Sequence, residues 1–109
     1  MIYSDIVGAI TKLGLQSSLS KIILFGSAAR GESTIKSDVD IAVITDAPIS
    51  NAQRRMVTRA MAEFETLESM LEINCFYATE EALEKADRWS DPCTSIKEEG
   101  IVLWQAEPI

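Results

Sequence analysis

The spacing of apolar residues along the chain predicts two amphipathic helices. Isoleucines at positions 2, 6 and 10 are followed by Leu13 at helical spacing, and Gly14 is the expected stop residue. Ser50 and Gln53 have the spacing of a capping box at the start of a longer helix. The apolar stripe of that helix, which we assign to the core, consists of Met56, Val57, Ala60, Met61, Phe64 and Leu67.

Short apolar runs between these helices predict strands. Lys21 to Phe25 is a continuous run of the kind found in buried strands, and Asp38 to Ile44 is a second strand with acids at its start. Leu71 to Phe76 alternates apolar and polar residues, which is typical of a third strand. Ile101 to Trp104 predicts a final short strand.

Three further segments complete the predicted order. Residues 28–31 form at most a short helical turn after the first strand, Thr79 opens a short helix with acids in its first turn, and another short helix ends at Gly100. The order is therefore α-β-(short α)-β-α-β-α-α-β. It predicts an α/β (α+β) fold, a small mixed sheet of about four strands with helices packed on it. We expect residues 1–109 to form a single domain.

Composition excludes several kinds of chemistry. The net charge of −7, from 17 acidic and 10 basic residues, disfavours general nucleic-acid binding. The chain has no histidine, and Cys75 and Cys93 lack metal-ligand spacing, so a structural zinc site lacks its ligands and Ser/His/Asp or Cys/His catalysis lacks its base. Acid, base or metal chemistry must come from carboxylates. We find neither a signal peptide nor a run of membrane-spanning length, and expect a cytoplasmic protein.

The second strand begins with two aspartates separated by one residue. Side chains alternate along a strand, so Asp38 and Asp40 point to one face and Val39 to the other. Their Cα atoms should lie about 6.6 Å apart, which lets two carboxylates converge on a divalent ion. Alone the pair could be solvated acids. Because Ile41 to Ile44 are all apolar, the strand is buried on both faces, and the acids at its start are expected to line a cleft.

A Gly-Ser turn follows the first strand. Gly26 allows backbone N–H groups to approach a phosphate, the Ser27 hydroxyl can donate to it, and Arg30 can offer its planar guanidinium. Alone this would be an ordinary turn, and the chain has no P-loop motif. Together with the aspartate pair, the turn predicts a metal-dependent phosphoryl or nucleotidyl transfer site.

These residues also form a recognisable pattern. Leu24 to Glu32 followed by Ser37 to Ile41 resembles the signature of the DNA polymerase beta superfamily and, more closely, of the minimal nucleotidyltransferases, the MNT family. The family pattern is Gly-Ser, ten residues and Asp-x-Asp, and positions 28 to 37 supply the ten. The Arg-Gly pair and the serine before the first aspartate match as well. Glu98 to Trp104 resembles the family's last strand more loosely.

The resemblance implies a cofactor and a set of ligands. It implies two Mg²⁺ ions and a nucleoside triphosphate substrate, for which ATP is the first expectation. Asp38 and Asp40 would be metal ligands and catalytic residues. The residues expected to bind the nucleotide are Gly26, Ser27, Arg30 and Ser37.

This chain departs from the family pattern at the third carboxylate of the site. Asn74 falls where the family usually has aspartate, and asparagine can ligate a metal through its carbonyl oxygen but cannot act as a base. Glu72, on the same face of the third strand, is the expected replacement as metal ligand and catalytic residue. The alternative is an exposed Glu72 beside a degenerate site.

We therefore predict transfer of a nucleoside monophosphate from a triphosphate to an acceptor hydroxyl. By the same resemblance, the acceptor is expected on a separate helical protein of the HEPN type, with this chain as the antitoxin of a toxin–antitoxin pair. The alternative is a catalytically degenerate module that binds a nucleotide or a partner. A purely structural domain ranks last, because it leaves the aspartate pair unexplained. Self-association stays open. The arginines at positions 54, 55 and 59 are assigned to a solvated face, with contact to a partner or a polynucleotide as the alternative.

Overall fold

A computed structural model describes residues 2–15, 18–31, 37–65, 71–88 and 91–107, with the backbone alone at residues 2, 27, 28, 37 and 71. The predicted order of elements is confirmed. The elements are α1 (Ile2–Thr11), β1 (Leu19–Phe25), α2 (Gly26–Ala29), β2 (Ser37–Thr45), α3 (Asn51–Ala62), β3 (Leu71–Thr79), α4 (Glu80–Lys85), α5 (Pro92–Glu99) and β4 (Ile101–Gln105).

The four strands form one mixed sheet in the order β3-β2-β1-β4. β1 runs antiparallel to both of its neighbours, β2 and β4, whereas β2 and β3 are parallel and joined through α3. This is the small mixed sheet that the sequence predicted. The strands β2 and β3 are each nine residues long, because β2 also includes Ser37 and Thr45 and β3 continues beyond Phe76 to Thr79.

The sheet separates two apolar cores. Alternate residues of β2 enter different cores, with Val39, Ile41 and Val43 on one side and Ala42 and Ile44 on the other. Buried residues of α1 and α3 complete the first core, and those of α4 and α5 complete the second. Helices therefore cover both faces of the sheet, which explains why β2 reads as a continuous apolar run.

Local signals set the helix boundaries. The Ser50 hydroxyl accepts a hydrogen bond from the Gln53 backbone N–H (3.2 Å), and Thr79 caps α4 in the same way through Ala82 (3.1 Å). Gly14, after α1, has a φ of 62°, the left-handed conformation expected of a stop residue. Within the described ranges, no helix combines the length and apolar character needed to cross a bilayer.

One core assignment is wrong. Met56 is 41% exposed, whereas Val57 and Met61 of the same helix are buried. The buried stripe of α3 runs through Gln53, Val57 and Met61 at intervals of four residues, and Met56 lies about 100° around the helix from Val57. Leu67, the last residue of the predicted stripe, lies outside the described residues.

Candidate active site

The topology brings the predicted site residues to one end of the sheet. β1 ends where β2 begins because the two strands are antiparallel, and β3 begins there too because it is parallel to β2. In register, Phe25 lies beside Asp40 on one side, and Asn74 lies beside Asp40 on the other. Asp38 has Glu72 as its neighbour. The start of β2 is therefore flanked by polar side chains of β3 and by the turn after β1.

The two aspartates share the face of the sheet that carries the second core. Ala42 and Ile44 continue this face into the core, while Val39 points the other way and is buried. Asp38 is exposed and Asp40 is half-buried. Phe25 and Phe76 pack against the same core, edge to face with ring centroids 6.3 Å apart. The carboxylates thus lie at the open end of an apolar face, and the cleft that the strand pattern predicted around them stays a prediction.

Gly26 approaches Asp40 so closely that a side chain at position 26 would displace the Asp40 carboxylate. Its φ of 75° is left-handed, and an added Cβ would lie 3.1 Å from Asp40 Cγ and would overlap Asp40 Oδ2. The turn continues into α2, where the Arg30 backbone N–H donates to the Gly26 carbonyl at 3.2 Å. The glycine of the Gly-Ser pair therefore lets the turn lie against the second aspartate in its present orientation.

Asn74 contacts Asp40 directly. Its side-chain Nδ2 donates a hydrogen bond to Asp40 Oδ1 at 3.2 Å. Glu72 is exposed beside Asp38, two residues along β3 from Asn74, the register partner of Asp40. The described side chains contain no group of three histidine, cysteine, aspartate or glutamate residues placed to hold a metal ion. Glu72 as the third metal ligand therefore stays a prediction.

The donor set at this end of the sheet fits Mg²⁺. This ion prefers oxygen ligands and is commonly held by one or two carboxylates together with substrate phosphates. Asp38 and Asp40 supply two carboxylates on one face, and Asn74 and Glu72 add an amide and a carboxylate on the adjacent strand. No sulfur or imidazole ligand adjoins them among the described residues. The residues present therefore suit a hard cation shared with phosphates.

The predicted phosphate ligand Arg30 already pairs with an acid. Its Nη1 lies 3.2 Å from Glu99 Oε2, both side chains are about half-exposed, and the pair connects α2 to the end of α5. The sequence offered no signal for this contact, because the two residues are 69 positions apart. The side chains of Ser27 and Ser37 lie outside the described residues, so their predicted nucleotide contacts stay predictions.

The clearest shifts in pKa lie on the other face of the sheet. Burial raises the pKa of the Cys75 thiol to about 11 and that of the Tyr77 phenol to about 12. Both residues pack against the first core, away from the aspartates. The Arg54 guanidinium lies 5.0 Å from the Tyr77 ring centroid. Arg54 is exposed as predicted, and it also stacks on this ring.

Together, the mixed sheet, the glycine turn and the paired aspartates define the class of a nucleotidyl transfer domain. The family model described as "Polymerase beta, Nucleotidyltransferase" matches residues 9–106. The chain therefore belongs to the polymerase beta nucleotidyltransferase family, as the sequence resemblance predicted, and it is an enzyme of the nucleotidyltransferase type.

Similar proteins agree with this assignment. A curated protein of Methanocaldococcus jannaschii that bears the provisional name protein adenylyltransferase is 34% identical over 86 residues, 79% of each chain. A chain from a toxin–antitoxin crystal structure with AMP-PNP has the same fold (TM-score 0.65, 23% identity, 98% of this chain and 76% of that one). A chain from the complex of a tri-AMPylated Shewanella oneidensis HEPN toxin with an MNT antitoxin is also similar (TM-score 0.55, 21% identity, 96% and 71%).

Proposed function

We propose that this chain transfers a nucleoside monophosphate, in the first instance AMP from ATP, to a hydroxyl group of a partner protein. The observation that carries the proposal is the placement of Asp38 and Asp40 on one face of β2, directly beside the turn at Gly26. This arrangement puts metal-binding carboxylates next to a turn that can accept phosphates.

Each site residue has a defined part in the proposed reaction. Asp38 and Asp40 would hold Mg²⁺, which neutralises charge on the phosphates when bound. Gly26 lets the turn lie against Asp40 and would let backbone N–H groups approach the triphosphate. The contacts that we assign to the nucleotide on the basis of the sequence pattern come from Ser27, Arg30 and Ser37. The acceptor hydroxyl attacks the α-phosphorus and pyrophosphate leaves, while positioning and charge neutralisation supply most of the rate.

The partner in this proposal is a helical protein of the HEPN type. Support comes from the similarity to chains of toxin–antitoxin complexes, one with AMP-PNP and one whose HEPN toxin is AMPylated. The protein adenylyltransferase name of the curated relative points the same way. We propose that this chain acts as an antitoxin by modifying its toxin. A cytoplasmic location and the use of two Mg²⁺ ions stay predictions.

The test is transfer from α-labelled ATP to a co-purified HEPN-type partner, read by autoradiography and by the intact mass of the partner. Label should appear only with Mg²⁺, and Asp38→Asn and Asp40→Asn should each abolish it. Asp46→Asn is the matched control, since Asp46 is an exposed aspartate just beyond the far end of β2. Equal labelling by wild type and both site variants would overturn the mechanism.

The second candidate is a nucleotide-binding or partner-binding module without turnover. The observation that favours it is Asn74, which places an amide beside Asp40 where a third carboxylate would complete the metal site. Calorimetry distinguishes the two candidates when it is run beside the transfer assay. ATP binding that needs Asp38 and Asp40, combined with no transfer to any partner, would support the binding module and exclude the enzyme.

A further inference from the structure

The carboxylate of Asp40 is constrained from two directions. Asn74 Nδ2 donates to its Oδ1 at 3.2 Å, and the Cα of Gly26 closes on the side of its Oδ2. A carboxylate oxygen can only accept a hydrogen bond, so the amide of Asn74 must present its NH₂ group to Asp40. The orientation of Asn74 is therefore set by Asp40, and that of Asp40 by Asn74 and Gly26.

The backbone, and not a long flexible side chain, brings Asn74 to Asp40. The two residues are register partners on parallel strands, flanked by the pairs Asp38–Glu72 and Ile41–Cys75. Both strands are held along their whole length by the pairing between β2 and β3. A short side chain on such a framework loses little conformational freedom when it forms the hydrogen bond.

The charge at position 74 matters because three other polar groups share this face. Asp38 and Glu72 are neighbours in register, and Asp40 lies one pleat further along β2. An acid at position 74 would place a fourth carboxylate beside Asp40, and like charges opposite one another on adjacent strands are destabilising. The neutral amide provides a hydrogen bond donor without that repulsion.

We propose that Asn74 is a positioning residue that orders the metal-binding carboxylate of Asp40 before metal or nucleotide binds. With asparagine at position 74, the site offers a cation one negative charge fewer than a site with aspartate at that position. Asp40 is therefore oriented without metal, and the site binds divalent ions less tightly than a site with aspartate at position 74 would. The consequence for catalysis rests on the proposed function, whereas the structural part does not.

The test compares thermal unfolding and Mn²⁺ binding in the intact protein. In EDTA, Asn74→Asp should lower the melting temperature by several degrees, and millimolar Mg²⁺ should restore it by more than it shifts wild type. In electron paramagnetic resonance titrations, Asn74→Asp should bind Mn²⁺ more tightly than wild type. Asn74→Ala, which removes the hydrogen bond, should weaken Mn²⁺ binding by about tenfold, the usual effect of losing a group that orients a ligand.

Asn51→Asp is the matched control, because Asn51 is an exposed asparagine at the first position of α3. It should change neither the melting temperature in EDTA by a comparable amount nor the affinity for Mn²⁺. If Asn74→Asp unfolds like wild type in EDTA, or if Asn74→Ala binds Mn²⁺ as wild type does, Asn74 does not position Asp40. These measurements need no transfer reaction, so an inactive wild type would overturn the proposed function alone.

Discussion

The Cα of Gly26 faces the carboxylate of Asp40 with no space for a side chain between them. A Cβ built on Gly26 would lie 3.1 Å from Asp40 Cγ and 3.3 Å from Asp40 Cβ, and it would overlap Oδ2. The contact joins the end of β1 to the start of β2 at the point where Phe25 and Asp40 are register partners. The glycine and the second aspartate of the family pattern are thus one structural unit.

Gly26→Ala should therefore lose both stability and activity. The left-handed φ of 75° costs an alanine about 1 kcal/mol, and the overlap with Asp40 adds about 1–3 kcal/mol. Gly14→Ala is the control, since Gly14 has a φ of 62° with nothing within 4 Å of an added Cβ. Urea unfolding measures both costs. Equal losses of unfolding free energy in the two variants would show that a clash with Asp40 does not contribute to the cost of Gly26→Ala.

The pair formed by Arg30 and Glu99 should matter more for the nucleotide than for stability. Arg30→Ala should raise the KM for ATP at least about tenfold, because charge-assisted hydrogen bonds are worth about 1.5–3 kcal/mol. The free energy of unfolding should change by less than about 1 kcal/mol, since the ion pair is half-exposed. Arg59→Ala, at an exposed arginine of α3, is the control and should leave the KM unchanged.

The two methionines of α3 offer a direct test of how its faces are assigned. Met61→Ala should lower the free energy of unfolding by about 2–4 kcal/mol, because Met61 is buried in the first core. Met56→Ala should change it by less than about 0.5 kcal/mol, since Met56 is 41% exposed. Urea denaturation of both variants measures the difference. Similar losses of unfolding free energy in the two variants would show that Met56 is part of the core.

Helical and strand periodicity predicted the order of elements because it depends only on neighbours along the chain. Periodicity did not predict that Met56 is exposed. A helix stripe is wider than the line of residues that actually pack, and α3 places Gln53, not Met56, on its buried side. Which flank of a stripe is covered depends on the elements that pack against it, and these are distant in sequence.

In the candidate site, too, local features could be predicted from the sequence and long-range contacts could not. The Gly-Ser turn and the aspartate pair could be predicted because each occupies one strand end with a short spacing. The contacts of Asn74 with Asp40 and of Glu99 with Arg30 span 34 and 69 residues. They follow from strand register and from the docking of α5, neither of which has a local signal in the sequence.

Stability should fall at alkaline pH through two residues on the first-core side of β3. The pKa of Cys75 is raised from 9.0 to about 11 and that of Tyr77 from 10.0 to about 12, and burial is the main cause of both shifts. Both groups are neutral when protonated, and the folded state holds their protons more tightly than the unfolded state. Their contribution is therefore complete below pH 9 and is lost as the pH rises through 11 and 12.

Cys75→Ala should make this loss of stability shallower between about pH 9 and about pH 11, because the variant has no thiol to titrate. Urea midpoints of wild type and variant, measured at about pH 8 and about pH 10.5, test the expectation. The midpoint of the variant should decrease less between the two conditions. An identical decrease in both proteins would assign the alkaline loss to other groups.

Glu72 is the predicted third carboxylate of the proposed mechanism. It lies beside Asp38 on the adjacent strand and is exposed, so its carboxylate is accessible to a cation or to an acceptor hydroxyl. Glu72→Gln keeps the shape and removes the charge. We expect kcat for nucleotidyl transfer to fall at least about tenfold and the Mg²⁺ concentration for half-maximal activity to rise. Glu63→Gln, at the exposed C-cap of α3, should do neither. Full metal-dependent activity in Glu72→Gln would remove Glu72 from the mechanism and leave Asp38 and Asp40 as its carboxylates.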